Sequence, residues 1–500
     1  MGSREEWCAD KLSKLLQEEL RISTLNEIKE HFTSIPHQEA SRTANVLDLP
    51  LVFDCLNDSN QEQVDLACEV LSICLNSLSL GESTNKYDVP LERALNHPFP
   101  SVKLMALSEI QRNIHKEESA IDICKRISLY KSILRCIGDE DLSVAQKAAK
   151  IISVLGLSDL GLRTLVSSDV VEVLYDIMST NGIIRLRLYE VAVNVAKESE
   201  SNFTLLRSTD IIDTMMEELK SNDILLRMNI IEIIIDLGLS PHGFIFLEES
   251  GILKELFSVL DDSENPITLE LCQPGILKFF GNLAQWRPIE MMSKYPKVVD
   301  RIYSNVESSD LTVVKVSLDT IGIIGSSNEG KRALLASGNK ITYSIKTIVK
   351  LLVALPNEVR LTALTCLENL LRVTDQKAEI TKITKQWFSL FGDDPMDIVL
   401  RYSKNPFPDI RLAGFGILHA ISGQQWGQEA INNTPGLVEF LLDRNSETTK
   451  ECKEMKYEIV KVLSTSSIFD ESISSRLRTF LNEGPYYVQA ITEIAIEGDE

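Results

Sequence analysis

The sequence predicts an all-α chain, folded as a curved α-solenoid of about ten to twelve short helical repeats. Three observations predict it. Apolar residues recur at helical spacing along most of the chain. Core-like triplets return at steps of 41 or 46 residues. Aromatic residues make up only 6%, and Gly and Pro number 23 and 16, a balance that disfavours sheet-rich folds.

Residues 1–50 read as an N-terminal helical cap. Leu12, Leu15, Leu16 and Leu20 have helical spacing, as do Leu25 and Ile28, and Asp48-Leu49-Pro50 marks a turn. The repeats occupy 51–480. With Leu155 as a register mark, the following marks are Ala196, Leu237, Leu283, Ile324 and Leu370. Positions six, three and zero before each mark are core-like: Ala149/Ile152/Leu155, Ile231/Ile234/Leu237, Leu277/Phe280/Leu283, Leu318/Ile321/Ile324 and Leu364/Leu367/Leu370. Glu190/Val193/Ala196 is the exception, because Glu190 needs a polar exit. Ten residues after the mark stands Leu165, Leu206, Leu247 or Leu334. Fourteen after it, Asp169, Asp210, Gly251 or Gly338 opens a further apolar helix, such as 252–260.

The stretch 313–338 shows one unit. Val314, Leu318, Ile321 and Ile324 form a helical stripe, and Gly325 is expected to end it as a left-handed cap. A distant duplication supports the repeat. His97-Pro-Phe-Pro-Ser-Val-Lys-Leu104 matches Asn405-Pro-Phe-Pro-Asp-Ile-Arg-Leu412, with Ser101 and Asp409 expected as helix N-caps. Units of this length, with two or three helices each, are of the armadillo/HEAT kind. One helical pair cannot bury its own apolar stripe, so it stacks on the next. Residues 481–500 read as a C-terminal capping segment, with Tyr486 and Tyr487 covering the last unit, and an acidic tail.

The bulk chemistry excludes several functions. With 73 acidic against 51 basic residues the net charge is −22, which disfavours nucleic acid and anionic membranes and suits a partner with a basic surface. The most apolar run, 230–239, is broken by Glu232 and Asp236, so no membrane span is expected. Gly2 is followed by Glu6 where myristoylation needs Ser or Thr. The nine cysteines form no C-x-x-C and no secretory leader precedes them, so reduced thiols in the cytosol or nucleus are expected.

No motif supports catalysis, a cofactor or a metal. The six histidines lack zinc-helix spacing and H-E-x-x-H is missing. Gly325-x4-Gly330-Lys331 nearly matches a phosphate loop, but Arg332 replaces the required Ser or Thr, and a helix rather than a strand precedes it. The same turn recurs without Lys at Gly156–Gly161 and Gly238–Gly243, which marks it as architecture. Gly156-Leu-Ser158-Asp-Leu-Gly161 is one residue too long for a nucleophile elbow.

Binding is expected on the helix that ends at each mark, which lines the concave side of such a solenoid. Positions five and one before the mark read Lys150/Val154, Val191/Val195, Glu232/Asp236, Lys278/Asn282, Asp319/Ile323 and Thr365/Asn369. The candidate partner-binding residues are Glu232, Asp236, Lys278, Asn282, Asp319 and Asn369. A peptide-binding armadillo protein shows a regular Asn ladder with Trp. Here the two Asn are isolated, and Trp7, Trp286, Trp387 and Trp426 lie off that register. A folded partner is favoured, with an armadillo-type adaptor for a linear peptide in transport or signalling as the alternative.

Several blocks together resemble a known family. Leu277-Lys-Phe-Phe-Gly-Asn-Leu-Ala284, Asp319-Thr-Ile-Gly-Ile-Ile-Gly325 with Glu329-Gly-Lys331, Glu483-Gly-Pro-Tyr-Tyr-Val488, Asp141-Leu-Ser-Val-Ala145, and Tyr189-Glu190 after Arg185 are similar to the 26S proteasome non-ATPase regulatory subunit 5 family. The resemblance runs from about residue 90 onward. It implies a HEAT/armadillo-like assembly chaperone of the proteasome regulatory particle base. Its implied partner is the C-terminal domain of one AAA ATPase, regulatory subunit 7, within a module of neighbouring ATPase and non-ATPase base subunits. It also implies release before the finished particle forms. On its own the chain is expected to be monomeric and cytosolic, with the nucleus as a further location.

Overall fold

A computed structural model describes residues 2–221, 223–261 and 266–487. Among these are thirty-three α-helices and four short 3-10 turns, with no strand. The chain forms two compact units, Met1–Ser250 and Gly251–Glu500. The acidic tail expected at the C-terminus lies outside the described residues from position 488 onward.

Each unit is built on a row of longer helices, each packed on its successor. In the first unit the row is α1 (Arg21–Ser34), α2 (Gln61–Asn76), α3 (Pro100–Asn113), α4 (Leu142–Gly156), α5 (Gly182–Ala196) and α6 (Ile224–Leu239). In the second it is α7 (Pro266–Trp286), α8 (Leu311–Gly325), α9 (Asn357–Leu371), α10 (Pro408–Ser422) and α11 (Lys450–Leu463). Shorter helices between them cover the other side of each stripe. Eleven row helices accord with the predicted repeat number. The mark residues Leu155, Ala196, Leu237, Leu283, Ile324 and Leu370 are all buried to 1–2% exposure or less, so the register read from the sequence is a core register. Burying each large aliphatic among them contributes about 1.5–3 kcal/mol.

The recurring turn has a mechanical cause. After α4, α6 and α8 the hydroxyl of Ser158, Ser240 or Ser327 accepts from the N–H of Gly161, Gly243 or Gly330 at 3.1, 3.1 and 2.9 Å. That contact caps the next short helix. The second glycine lies against the carbonyl of the mark residue. A Cβ there would stand 1.9, 2.1 or 1.7 Å from the oxygen of Leu155, Leu237 or Ile324. Only glycine fits.

The first glycine corrects an expectation. Gly325 is the last residue of α8, and the cap that follows, Ser326, is right-handed. Gly325 is needed because Leu370 of α9 comes within 2.5 Å of where its Cβ would be. The left-handed backbone falls fourteen residues after the mark instead, at Asp210, Gly251 and Gly338, with φ of 59°, 76° and 61°. The duplicated segment also begins one step early. Pro100 and Pro408 open α3 and α10, so Ser101 and Asp409 sit inside the first turn and do not cap. The N–H groups of Phe99 and Phe407 donate to His97 Nδ1 at 3.2 Å and Asn405 Oδ1 at 3.0 Å, which closes the same turn twice.

Two buried cations brace the second unit. Lys331 is fully buried, and its Nζ donates to the carbonyl of Gly325 and, at 3.1 Å, to that of Asn369. It therefore ties the C-terminal ends of α8 and α9 through hydrogen bonds to one carbonyl on each. Lys456 of α11 pairs with buried Glu447 at 2.9 Å and donates to Phe440 O at 2.9 Å; Arg411 meets the same Glu447 at 3.1 Å.

Candidate partner-binding surface

In the second unit, four predicted residues fall on three successive row helices. Lys278 and Asn282 are on α7, Asp319 on α8 and Asn369 on α9. Lys278 and Asp319 are exposed, and Asn282 and Asn369 are half-buried. Asn369 lies in the seam between α8 and α9: its Nδ2 is 3.5 Å from where Gly322 would carry a Cβ. Asp319 precedes Gly322 by one turn on α8. The surrounding atoms strip enough water from the Asp319 carboxyl to push its pKa above the ordinary value, against the opposing pull of Lys315. Lys315 itself bridges to Glu358 of α9 at 3.3 Å.

A cleft in that unit, about 440 Å³, is walled by Ile289, Met292, Pro296 and Ala333. Its basic rim is already engaged, since Arg332 pairs with Glu379 and Lys340 with Asp300.

In the first unit, Glu232 and Asp236 are both exposed on α6. They line a groove of about 460 Å³ between α5 and α6. Asp236 is held by Lys197 at 2.5 Å. The neighbouring helix departs from expectation. Val191 and Val195 do not join the polar ladder; they are 3% and 0% exposed, while Glu190 is exposed. The core register of α5 thus runs through Val195, one residue before the expected mark Ala196, so the repeat steps on either side of it are 40 and 42 residues rather than 41 and 41. The cause is chemical: the ladder positions of this helix are valines, which gain by turning inward, and Glu190 gains by turning out. Val195 fills the space left by Gly156, whose absent Cβ would meet it at 2.8 Å.

With that register Arg187, Glu190 and Asn194 line the groove, and none of them was predicted from the sequence. A signal was available: Glu190 and Glu232 stand 42 residues apart, one step off the 41-residue repeat. Arg187 and Asn194, with Glu190, also border a second groove of about 370 Å³ between α4 and α5, beside Lys150, Ser153 and Val154. The Arg187 guanidinium donates to the carbonyls of Ile137 at 3.0 Å and Asp139 at 3.1 Å.

The near-miss motifs are spent on structure. The Ser158 hydroxyl donates to Leu155 O at 2.9 Å and accepts from Gly161, so it caps a helix. Lys331 points inward, away from any phosphate. Among the described residues no three His, Cys, Asp or Glu side chains gather as a metal set, and no helix is long and apolar enough to cross a membrane. All nine cysteines are free and buried, and burial pushes the thiols of Cys55, Cys124 and Cys136 up to about 11.

At the far end of the second unit, Arg444 donates to Gly484 O at 3.1 Å and to Phe480 O at 3.0 Å, and stacks on Phe480 and Tyr487. Tyr486 donates to Glu454 at 2.7 Å. Both tyrosines stay about half exposed, at 49% and 44%.

Comparison with known proteins matches residues 4–500 to the family model described as Proteasome non-ATPase 26S subunit. Three relatives are each described as 26S proteasome non-ATPase regulatory subunit 5. The chain is 32% identical to that of Bos taurus over 488 residues, covering 96% of this chain and 97% of the relative. It is 31% identical to that of Homo sapiens over 496 residues, covering 98% of both. It is 31% identical to that of Mus musculus over 494 residues, covering 97% and 98%.

Proposed function

The chain belongs to the Proteasome non-ATPase 26S subunit family, and on that premise we propose that it is an assembly chaperone for the base of the proteasome regulatory particle. It holds the C-terminal domain of one AAA ATPase, regulatory subunit 7, in a module with neighbouring base subunits. It works in the cytosol without catalysis of its own and is absent from the mature particle. The observation that carries this reading is coverage: the family match spans 4–500, so both units share the ancestry of the proteasome subunits. The outward charged positions, Lys278 and Asp319 on successive helices of one unit and Glu232 and Asp236 on one helix of the other, suit a folded partner with its own mixed surface.

In mechanism, the helical rows cover a face of the ATPase domain that ring closure or docking later needs. Steric coverage then orders assembly without chemistry.

Affinity purification of the tagged full chain from cytosol, resolved on native gels, tests this. The expected result is regulatory subunit 7 in complexes smaller than the 26S particle. Recovery of mature, peptide-hydrolysing particles, or of no ATPase subunit, overturns it.

A further inference from the structure

We propose that the cleft between the helix pair after α7 and the pair after α8 seats one helix of a partner protein, through an uncharged apolar ridge that also covers Trp286. This rests on the reading of the chain as a protein-docking scaffold and states what one of its surfaces recognises.

The cleft lies within the second unit. One wall is made by the short helices Pro288–Lys294 and Pro296–Asn305, the other by Asn328–Ala336 and Asn339–Leu351. Ile289, Met292, Pro296, Val299, Ala333 and Ala336 give its 440 Å³ an apolar lining. The repeat shows why the space is open. Nine residues after the marks Leu155, Ala196, Leu237 and Ile324 stand Thr164, Leu205, Phe246 and Ala333. Phe246 fills its site: it is 9% exposed and meets the ring of Phe203 at 5.1 Å. Ala333 stands at the same step with only a methyl group. The walls beside it stay in contact with water, and covering them with apolar atoms is favourable.

Two observations choose the occupant. The first is charge. Asp300, Arg332 and Lys340 are the charged residues that line the cleft, and each has its opposite: Lys340 pairs with Asp300, and Arg332 with Glu379 at 3.1 Å. On the Trp286 side, Arg287 and Lys294 share Glu290 at 3.4 and 2.8 Å. Inside the cleft a charged ligand meets no opposite charge free to receive it, whereas an uncharged one leaves every pair in place. The second is extent. Trp286 ends α7 with 69% of its surface exposed, and Ile289, at 52%, is three residues further on. Three residues span at most about 11 Å, so the indole stands about two helical turns from the cleft. A small molecule seated in the cleft leaves that indole in water. A helix covers both, with side chains at i, i+3, i+4 and i+7 entering the cleft and meeting the ring. Trp is a frequent anchor of protein interfaces, and the other three are spent on structure. Trp387 is 1% and Trp426 7% exposed, and Trp7 packs on His31 at 4.1 Å.

The probe is a synthetic, end-capped helical peptide of about four turns, with Leu at helical spacing and only Ala and Gln elsewhere. Its control replaces every Leu with Gln. Anisotropy of the labelled peptides against the full chain is expected to show the Leu peptide binding about tenfold or more tightly than the control. That binding is expected to be indifferent to salt, since it makes no ion pair. The tryptophan emission of the chain should shift to the blue as Trp286 leaves water, and Trp286→Phe should remove the shift. Ala336→Phe fills the cleft and Ile289→Asp charges its edge; each is expected to weaken binding about tenfold or more. Both positions are exposed, and unchanged helicity and melting temperature confirm that the variants fold. Equal binding of both peptides, no binding of either, binding indifferent to both variants, or binding that leaves the emission unmoved overturns the proposal. The peptide pair and the emission decide the matter even if a variant misfolds. 1-Naphthol is titrated alongside: a cleft that takes it but not the Leu peptide is a small-molecule pocket, which also overturns the proposal. Retention of the proteasomal ATPase by the wild-type chain is scored in parallel. Peptide binding without ATPase retention sinks the assembly role and leaves the cleft; ATPase retention without selective peptide binding does the reverse.

Discussion

Lys331 shows how a single residue can mislead a motif search and still matter. Burial, with Arg372 nearby, pushes its pKa from 10.5 down to about 7. Below that pH the folded and unfolded chains both carry the proton, and the folded chain bears the whole cost of an enclosed charge. Between about 7 and 10.5 the folded chain binds fewer protons, so stability rises with pH through that window and levels off above it. Urea unfolding of wild type and Lys331→Met across pH 6 to 11 should show this rise in the wild type and its absence in the variant. The variant also loses two carbonyl contacts, at a cost of about 2 kcal/mol. Gly330 is the steric counterpart. Gly330→Ala places a methyl against Ile324 O and is expected to cost about 3 kcal/mol, measured by the same unfolding curves. A change within 0.5 kcal/mol would mean that the turn does not make that contact.

At the scale of the helix, α5 is the informative element. Its shifted core register predicts opposite outcomes for two nearby positions. Val195→Ala removes buried volume and should cost about 2 kcal/mol. Glu190→Ala touches only the groove and should change stability by less than about 0.5 kcal/mol. If the core of α5 ran through Glu190 and Ala196 as the repeat spacing predicts, the ranking would be reversed, so thermal unfolding of the two variants tests the register directly. The short helices obey a simpler rule. Ser327→Ala leaves the Gly330 N–H uncapped and should cost about 1 kcal/mol. The row helices themselves were legible because their triplets are apolar and regularly spaced. Their exact start was not: at Pro100 and Pro408 the imide ring, lacking an N–H to lose, takes the first helical position that Ser101 and Asp409 were expected to precede.

Within each unit, each row helix touches its neighbours, so stability in a row behaves as a chain of local couplings. Hydrogen exchange in Gly330→Ala should therefore quicken most in α8 and α9, less in α7 and α10, and least in α11. Uniform quickening through all five would contradict nearest-neighbour coupling. By itself, the sequence determined that the chain is helical, where its repeats fall, and that its glycine turns are architecture. Each of those follows from the spacing of apolar and small residues along the chain. The kinship was legible as well, in the blocks around Leu277, Asp319 and Tyr486. Tertiary structure alone decided which side of each helix faces outward. That choice compares two faces at once, as when Val191 and Val195 compete with Glu190 for the interior of α5. It depends on neighbours some 40 residues away in sequence, such as Gly156 making room for Val195, and no local pattern contains them.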